Sequence, residues 1–280
     1  GDPLDAQPHG GQYNIGRIDP MRTSTALLVL LFAGGCVSVD EVAEPGASTL
    51  ASDAGFPGLD PGAARLDSLH FRVSAYGADK AQAASELAEA LYRKVMEDTA
   101  LYSFMPRELY TLVLYASREE YLRKTGLPEW SAGVSAGRAL YMHEGPGLRP
   151  ILAHEMTHLI FGEYMGRHDP SLRWVNEGLA VYEEQEASGE WRGRPTTRPI
   201  PFREMVNLAP LVEKDALVND WYRQVGSVVR FLIERGGRVG FGEFLKALQE
   251  GRSVDEAVRR GFPGHWTSLA AVEASWSASR

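Results

Sequence analysis

Two histidines four residues apart, with a glutamate beside the first, stand at His154-Glu155-Met156-Thr157-His158. On a helix, residues i and i+4 share a face, so both imidazoles reach one ion. Glu155 lies one step round the helix and can touch a water on that ion. Zinc lowers the pKa of such a water toward about 7, which lets a neighbouring carboxylate act as general base. A catalytic zinc takes three protein ligands and keeps one position open. The chain has a single cysteine, Cys36, so the third ligand is expected to be His, Asp or Glu. The motif is framed by Ile151-Leu152-Ala153 and Leu159-Ile160-Phe161. A helix buried on those flanks would hold two His and one Glu at a cost unless they have partners.

Downstream stands Trp174-Val175-Asn176-Glu177-Gly178-Leu179-Ala180, with residues 159–176 between His158 and Glu177. This pairing of H-E-x-x-H with W-x-N-E-G-x-A resembles the gluzincin metallopeptidases, with the spacing of the aminopeptidase N type and the size of the small peptidase-MA-like domains. The likeness covers about residues 150–184 closely and 66–280 loosely. It implies a zincin-like fold and a Zn2+ cofactor. It implies His154, His158 and Glu177 as zinc ligands, Glu155 as base, and hydrolysis of peptide bonds in a peptide or protein substrate. It also implies a tyrosine that donates to the oxyanion; Tyr222 is the candidate, with Tyr182 and His168 as weaker ones. Asn176 could hydrogen-bond a ligand, and Trp174 reads as core. The aminopeptidases' G-x-M-E-N segment is missing, and Glu144 is a poor substitute, so an endopeptidase is expected over an aminopeptidase. The thermolysin type has Asp four residues after the third ligand, where this chain has Val181, so no partner for His154 is assigned. Residues 138–143, the strand before the zinc helix, are the expected edge for an extended substrate.

The elements that must position these residues read as α+β: strands and helices first, then helices only. Strand patterns occur at 69–75, 109–115 and within 133–143. Helix patterns occur at 79–98, from Ser117 to about Lys124, from Pro150, from about Leu172 or Trp174 to Glu186, and at 220–234, 241–248 and 253–260. Residues 187–215 read as loop. His70 and His265 read as packing or surface residues.

The 280 residues carry 29 Lys+Arg against 37 Asp+Glu, a net charge of -8, which gives no basic face for nucleic acid. Residues 1–20 are Gly/Pro-rich and read as a leader or mis-assigned start. Residues 21–35 read as a signal peptide: Arg22, then an apolar run from Ala26 to Ala33, then Gly34-Gly35 before Cys36. That junction resembles the lipobox of bacterial lipoproteins, which implies a lipid on Cys36, membrane attachment and a place in the bacterial cell envelope, at the outer membrane or cell surface. Residues 36–65 read as a flexible tether reaching roughly 30 Å. Two other readings fit the same residues: a membrane-tethered, non-catalytic zinc-binding scaffold, and a zinc hydrolase acting on a non-peptide amide.

Overall fold

The computed structural model describes residues 55–191, 198–208 and 215–279. The leader, the signal peptide, Cys36 and the tether up to residue 54 lie outside the described residues. The described chain is α+β. Its elements are β1 (Ala64–Asp67), β2 (Phe71–Ala75), α1 (Ala78–Thr99), β3 (Tyr110–Tyr115), α2 (Arg118–Thr125), β4 (Gly133–Ala136), β5 (Ala139–His143), α3 (Leu148–Met165), α4 (Arg173–Ser188), α5 (Phe202–Met205), α6 (Asp215–Gly236), α7 (Arg238–Gln249), α8 (Val254–Gly261) and α9 (Leu269–Ala278). None of the described helices is long and apolar enough to cross a membrane.

The five strands form one mixed sheet in the order β1-β2-β3-β5-β4. The inner strands β2, β3 and β5 run parallel, and the edge strands β1 and β4 run antiparallel to their neighbours. Side-chain alternation divides the sheet residues between two cores. Leu112, Leu114, Leu140 and Met142 join the main core under α1 and α3. Val113, Tyr115 and Tyr141 join a smaller cluster with Val134 and Tyr121, the latter from α2. Both faces are therefore covered, which is why β3 and β5 read as nearly continuous apolar runs.

Two expectations change at the start and middle of the sheet. The folded region begins before residue 66: Phe56 stacks edge-on to Tyr141 at 5.2 Å, and residues 64–67 form β1. The single strand expected within 133–143 is a hairpin. Gly137, at φ 57, supplies the first turn position of its two-residue loop, and β4 and β5 pair from Gly133↔Met142 to Ala136↔Ala139. β5, which spans most of 138–143, is therefore paired on both sides and offers no free edge. The free edge on that flank of the described sheet belongs to β4.

The helix signals are met more closely. Ser117 caps α2 by accepting from the Glu120 N–H. Ser253 and Glu256 form the complete capping box of α8. α5 and α9 are additional to the sequence reading; their runs of four and ten residues are too short for a clear period.

Candidate metal centre

α3 begins at Leu148, and every residue from Leu152 to Phe161 is buried. It ends at Gly166, whose φ of 64 suits the left-handed cap, with its N–H donating to the Gly162 carbonyl. The chain turns at once. Arg167 donates to the carbonyls of Leu248 and Gln249, both at 2.8 Å, which ties the turn to α7. Asp169 caps a single 3-10 turn over Pro170–Leu172, and α4 follows. This short, pinned connection lays α4 back along α3 and brings Glu177 opposite the two histidines.

His154, His158 and Glu177 are all buried, and one ligand atom from each lies within 4.8 Å of the others. Glu177 Oε2 is 4.0 Å from His154 Nε2 and 3.7 Å from His158 Nε2. A tetrahedral ion with bonds of about 2.0–2.1 Å separates its ligand atoms by about 3.4 Å, so only small side-chain adjustments are needed. Each imidazole is oriented from behind. His154 Nδ1–H donates to Glu184 Oε2 at 3.0 Å. His158 Nδ1–H donates to Asn176 Oδ1 at 3.0 Å. Both bonds fix the tautomer that turns the Nε2 lone pair toward Glu177.

The residues present fit a bound cation. His154 Nε2 and both carboxylate oxygens of Glu155 are shut away from solvent and make no hydrogen bond within the described structure. Orphaned buried polar atoms are costly, and one of these, His154 Nε2, stands 4.0 Å from Glu177 Oε2 within the cluster, which points to a missing partner. Electrostatics agree. Burial pulls the His154 pKa down, but the hydrogen bond and charge of Glu184, with the charges of Glu155 and Glu177, outweigh it and raise it to about 9. Without an ion these carboxylates favour the protonated imidazole, and a bound cation would supply that positive charge instead. Two imidazoles and one carboxylate form a donor set of the kind catalytic zinc uses, although other divalent ions accept it too.

Glu184 is the site residue that the sequence reading did not assign. It stands seven residues after Glu177, two turns on along the same face of α4. A search limited to the fourth position after the third ligand meets Val181, which packs on Gly226 of α6 instead.

The remaining candidates sit as follows. Tyr222 is half-buried on α6, its ring edge-on to Trp221 at 5.1 Å. α6 reaches α4 closely because Gly178 and Gly226 carry no side chain; a Cβ on Gly178 would meet the Val225 carbonyl at 2.7 Å. Tyr182 is buried with Lys94 over its ring, toward α1, and His168 is exposed in the α3–α4 turn. Trp174 is wholly buried against Phe244. Glu144 is held by Lys80 at 2.7 Å. His70 stacks on Tyr92 and bonds Glu89, and His265 lies against Trp266.

β4 passes beside the centre. A Cβ on Gly133 would lie 2.5 Å from Ile151 Cγ2 and 3.6 Å from Glu155 Cγ. Only glycine lets the edge strand come this near α3. Comparison with protein-family models and with curated proteins gives no match to this chain, so its assignment rests on the residues themselves.

Proposed function

We propose that the chain is a zinc-dependent endopeptidase of gluzincin type, held in the bacterial cell envelope by a lipid on Cys36. The observation that carries the reading is the buried convergence of His154, His158 and Glu177, next to a buried Glu155 whose charge acts on His154. When bound, zinc would supply a Lewis acid and an acidified water at this spot. His154, His158 and Glu177 would hold it, with Glu184 and Asn176 fixing the two rings.

The chain's own groups do the rest. Glu155 takes a proton from the attacking water on a carboxylate oxygen and passes it to the leaving amine nitrogen. The Tyr222 hydroxyl donates to the oxygen of the attacked carbonyl as charge builds there. An extended peptide pairs with the free edge of β4, beside Glu155. The hairpin closes at Ala136 and Ala139, so the antiparallel alternation turns the backbone groups of Gly133 and Ser135 away from β5 and toward that edge. Endopeptidase action is favoured because the aminopeptidases' G-x-M-E-N segment is missing and Glu144, its poor substitute, is paired with Lys80.

Metal content tests the reading. The protein is equilibrated with zinc, freed of excess and analysed by elemental analysis, beside His154→Ala and Glu177→Ala. About one zinc per wild-type chain, lost in both variants, together with zinc-dependent cleavage of an unstructured protein substrate, is the expected result. A wild type that retains no zinc sinks the proposal.

A further inference from the structure

A second polar site lies away from the metal centre, where three helices converge. A cavity of about 220 Å³ opens between α1, the first turn of α3 and the C-terminal half of α4. Its polar lining is balanced in sign: Arg93, Lys94 and Arg149 face Glu97, Glu183 and Glu186. None of the four residues of the metal centre borders it.

The lining groups differ in whether the fold satisfies them. Lys94 is engaged by Asp98 and lies 3.5 Å from Glu186. Arg93 and Arg149 are exposed and have no ion pair or hydrogen bond among the described residues. Glu183 is the anomaly. It is only 2 % exposed, and its Oε1 is closed to solvent without a hydrogen-bond partner. Such a buried carboxyl is normally paired, because an ionised one left alone is costly. Burial, and then the charge of Asp98, push its pKa well above the ordinary carboxylate range. The pocket is therefore lined by a nearly buried carboxyl, one of whose oxygens has no donor, and by two guanidiniums that lack an anion among the described residues. Its remaining wall is apolar and small, formed in part by Leu91 and Ala187.

We infer that this cavity binds a free α-amino acid, with its ammonium on Glu183 and its carboxylate on Arg93 and Arg149. The ammonium sets a positive charge against the nearly buried carboxyl and keeps it ionised. Each guanidinium offers a planar fork suited to a carboxylate. A small apolar side chain rests on Leu91 and Ala187. Free amino acids are what complete peptide breakdown releases, so under the endopeptidase reading the pocket senses the end product of a breakdown that this cleavage begins and exopeptidases finish. Binding itself does not depend on that reading and is measured without turnover.

The test is titration calorimetry of the full-length, metal-free protein with L-alanine. Propionate, which lacks the ammonium, and ethylamine, which lacks the carboxylate, serve as probes of each half. L-alanine is expected to bind with Kd on the order of 1 mM or tighter, a reachable value for so small a ligand. Propionate and ethylamine should each bind at least about tenfold more weakly, as each loses one charged contact. Glu183→Gln should weaken L-alanine by at least about tenfold. Arg149→Ala, at an exposed position where folding is not at risk, should weaken it measurably in the same direction. The inference is overturned by no binding of L-alanine at tens of millimolar, by propionate or ethylamine matching it, or by undiminished binding in both variants. Because no hydrolysis is read, an inactive peptidase would leave this result intact.

Discussion

Removing Glu184 isolates what the second helix does for the metal beyond supplying Glu177. In Glu184→Ala the Nδ1–H of His154, a residue 2 % exposed, loses the acceptor it holds at 3.0 Å among the described residues. An unsatisfied buried donor costs about 1–3 kcal/mol, and loss of such an outer partner lowers metal affinity about 10–100-fold, or about 1.4–2.7 kcal/mol. A second effect opposes the first. With its pKa raised to about 9, wild-type His154 must release a proton to take a metal at pH 7. Two pKa units weaken apparent affinity by about 100-fold at pH 7. The variant, without Glu184, holds that proton less tightly and is relieved of much of this cost. The loss in Glu184→Ala should therefore be near its full 10–100-fold at pH 9 and markedly smaller at pH 7. Glu184→Gln, whose amide oxygen still accepts but carries no charge, should fall between the two. Zinc affinity by competition with a chelator of known strength, at both pH values, gives the numbers, and circular dichroism checks that the variants are folded. A folded Glu184→Ala that binds zinc within about twofold of wild type at pH 9 would refute the assigned role.

Three further outcomes follow from the same geometry. Glu155→Gln should bind zinc as wild type does yet cleave peptide at least about 100-fold more slowly, because only the proton acceptor is removed; equal turnover at equal zinc content would remove Glu155 from the mechanism. Gly133→Ala puts a Cβ 2.5 Å from Ile151 Cγ2 and should cost about 1–3 kcal/mol of stability, seen as a lower denaturation midpoint; an unchanged midpoint would mean that β4 does not hold this close approach. The metal-free protein should lose stability as pH rises. The folded pKa of His154, about 9, lies above its ordinary value of 6.5, so its contribution is complete below about 6.5 and disappears as pH passes through about 9. Zinc occupies the same nitrogen and should flatten that slope, which thermal melts from pH 6 to 10 with and without zinc would reveal.

Much of the site was legible because metal ligation needs particular residue types at helical spacing. His154, Glu155 and His158 lie within five consecutive residues, and a helix repeats its face every four. The helix caps at Ser117 and Ser253 were legible for a similar reason, since an N-cap side chain reaches only to the N–H three residues ahead. What escaped was non-local. Strand pairing is set by partners far apart in the chain, so only the folded sheet shows that β5 is interior, that β4 is the edge, and that residues 64–67 belong to the domain. Glu184 could not be told from any other helix glutamate until α4 lay against α3 and its carboxylate met His154. Glu183, one residue earlier, reads identically in the sequence, yet it faces a separate cavity between α1 and α4. Neighbouring helix residues point about 100° apart, so two adjacent glutamates serve different sites, and only the packing of three helices decides which.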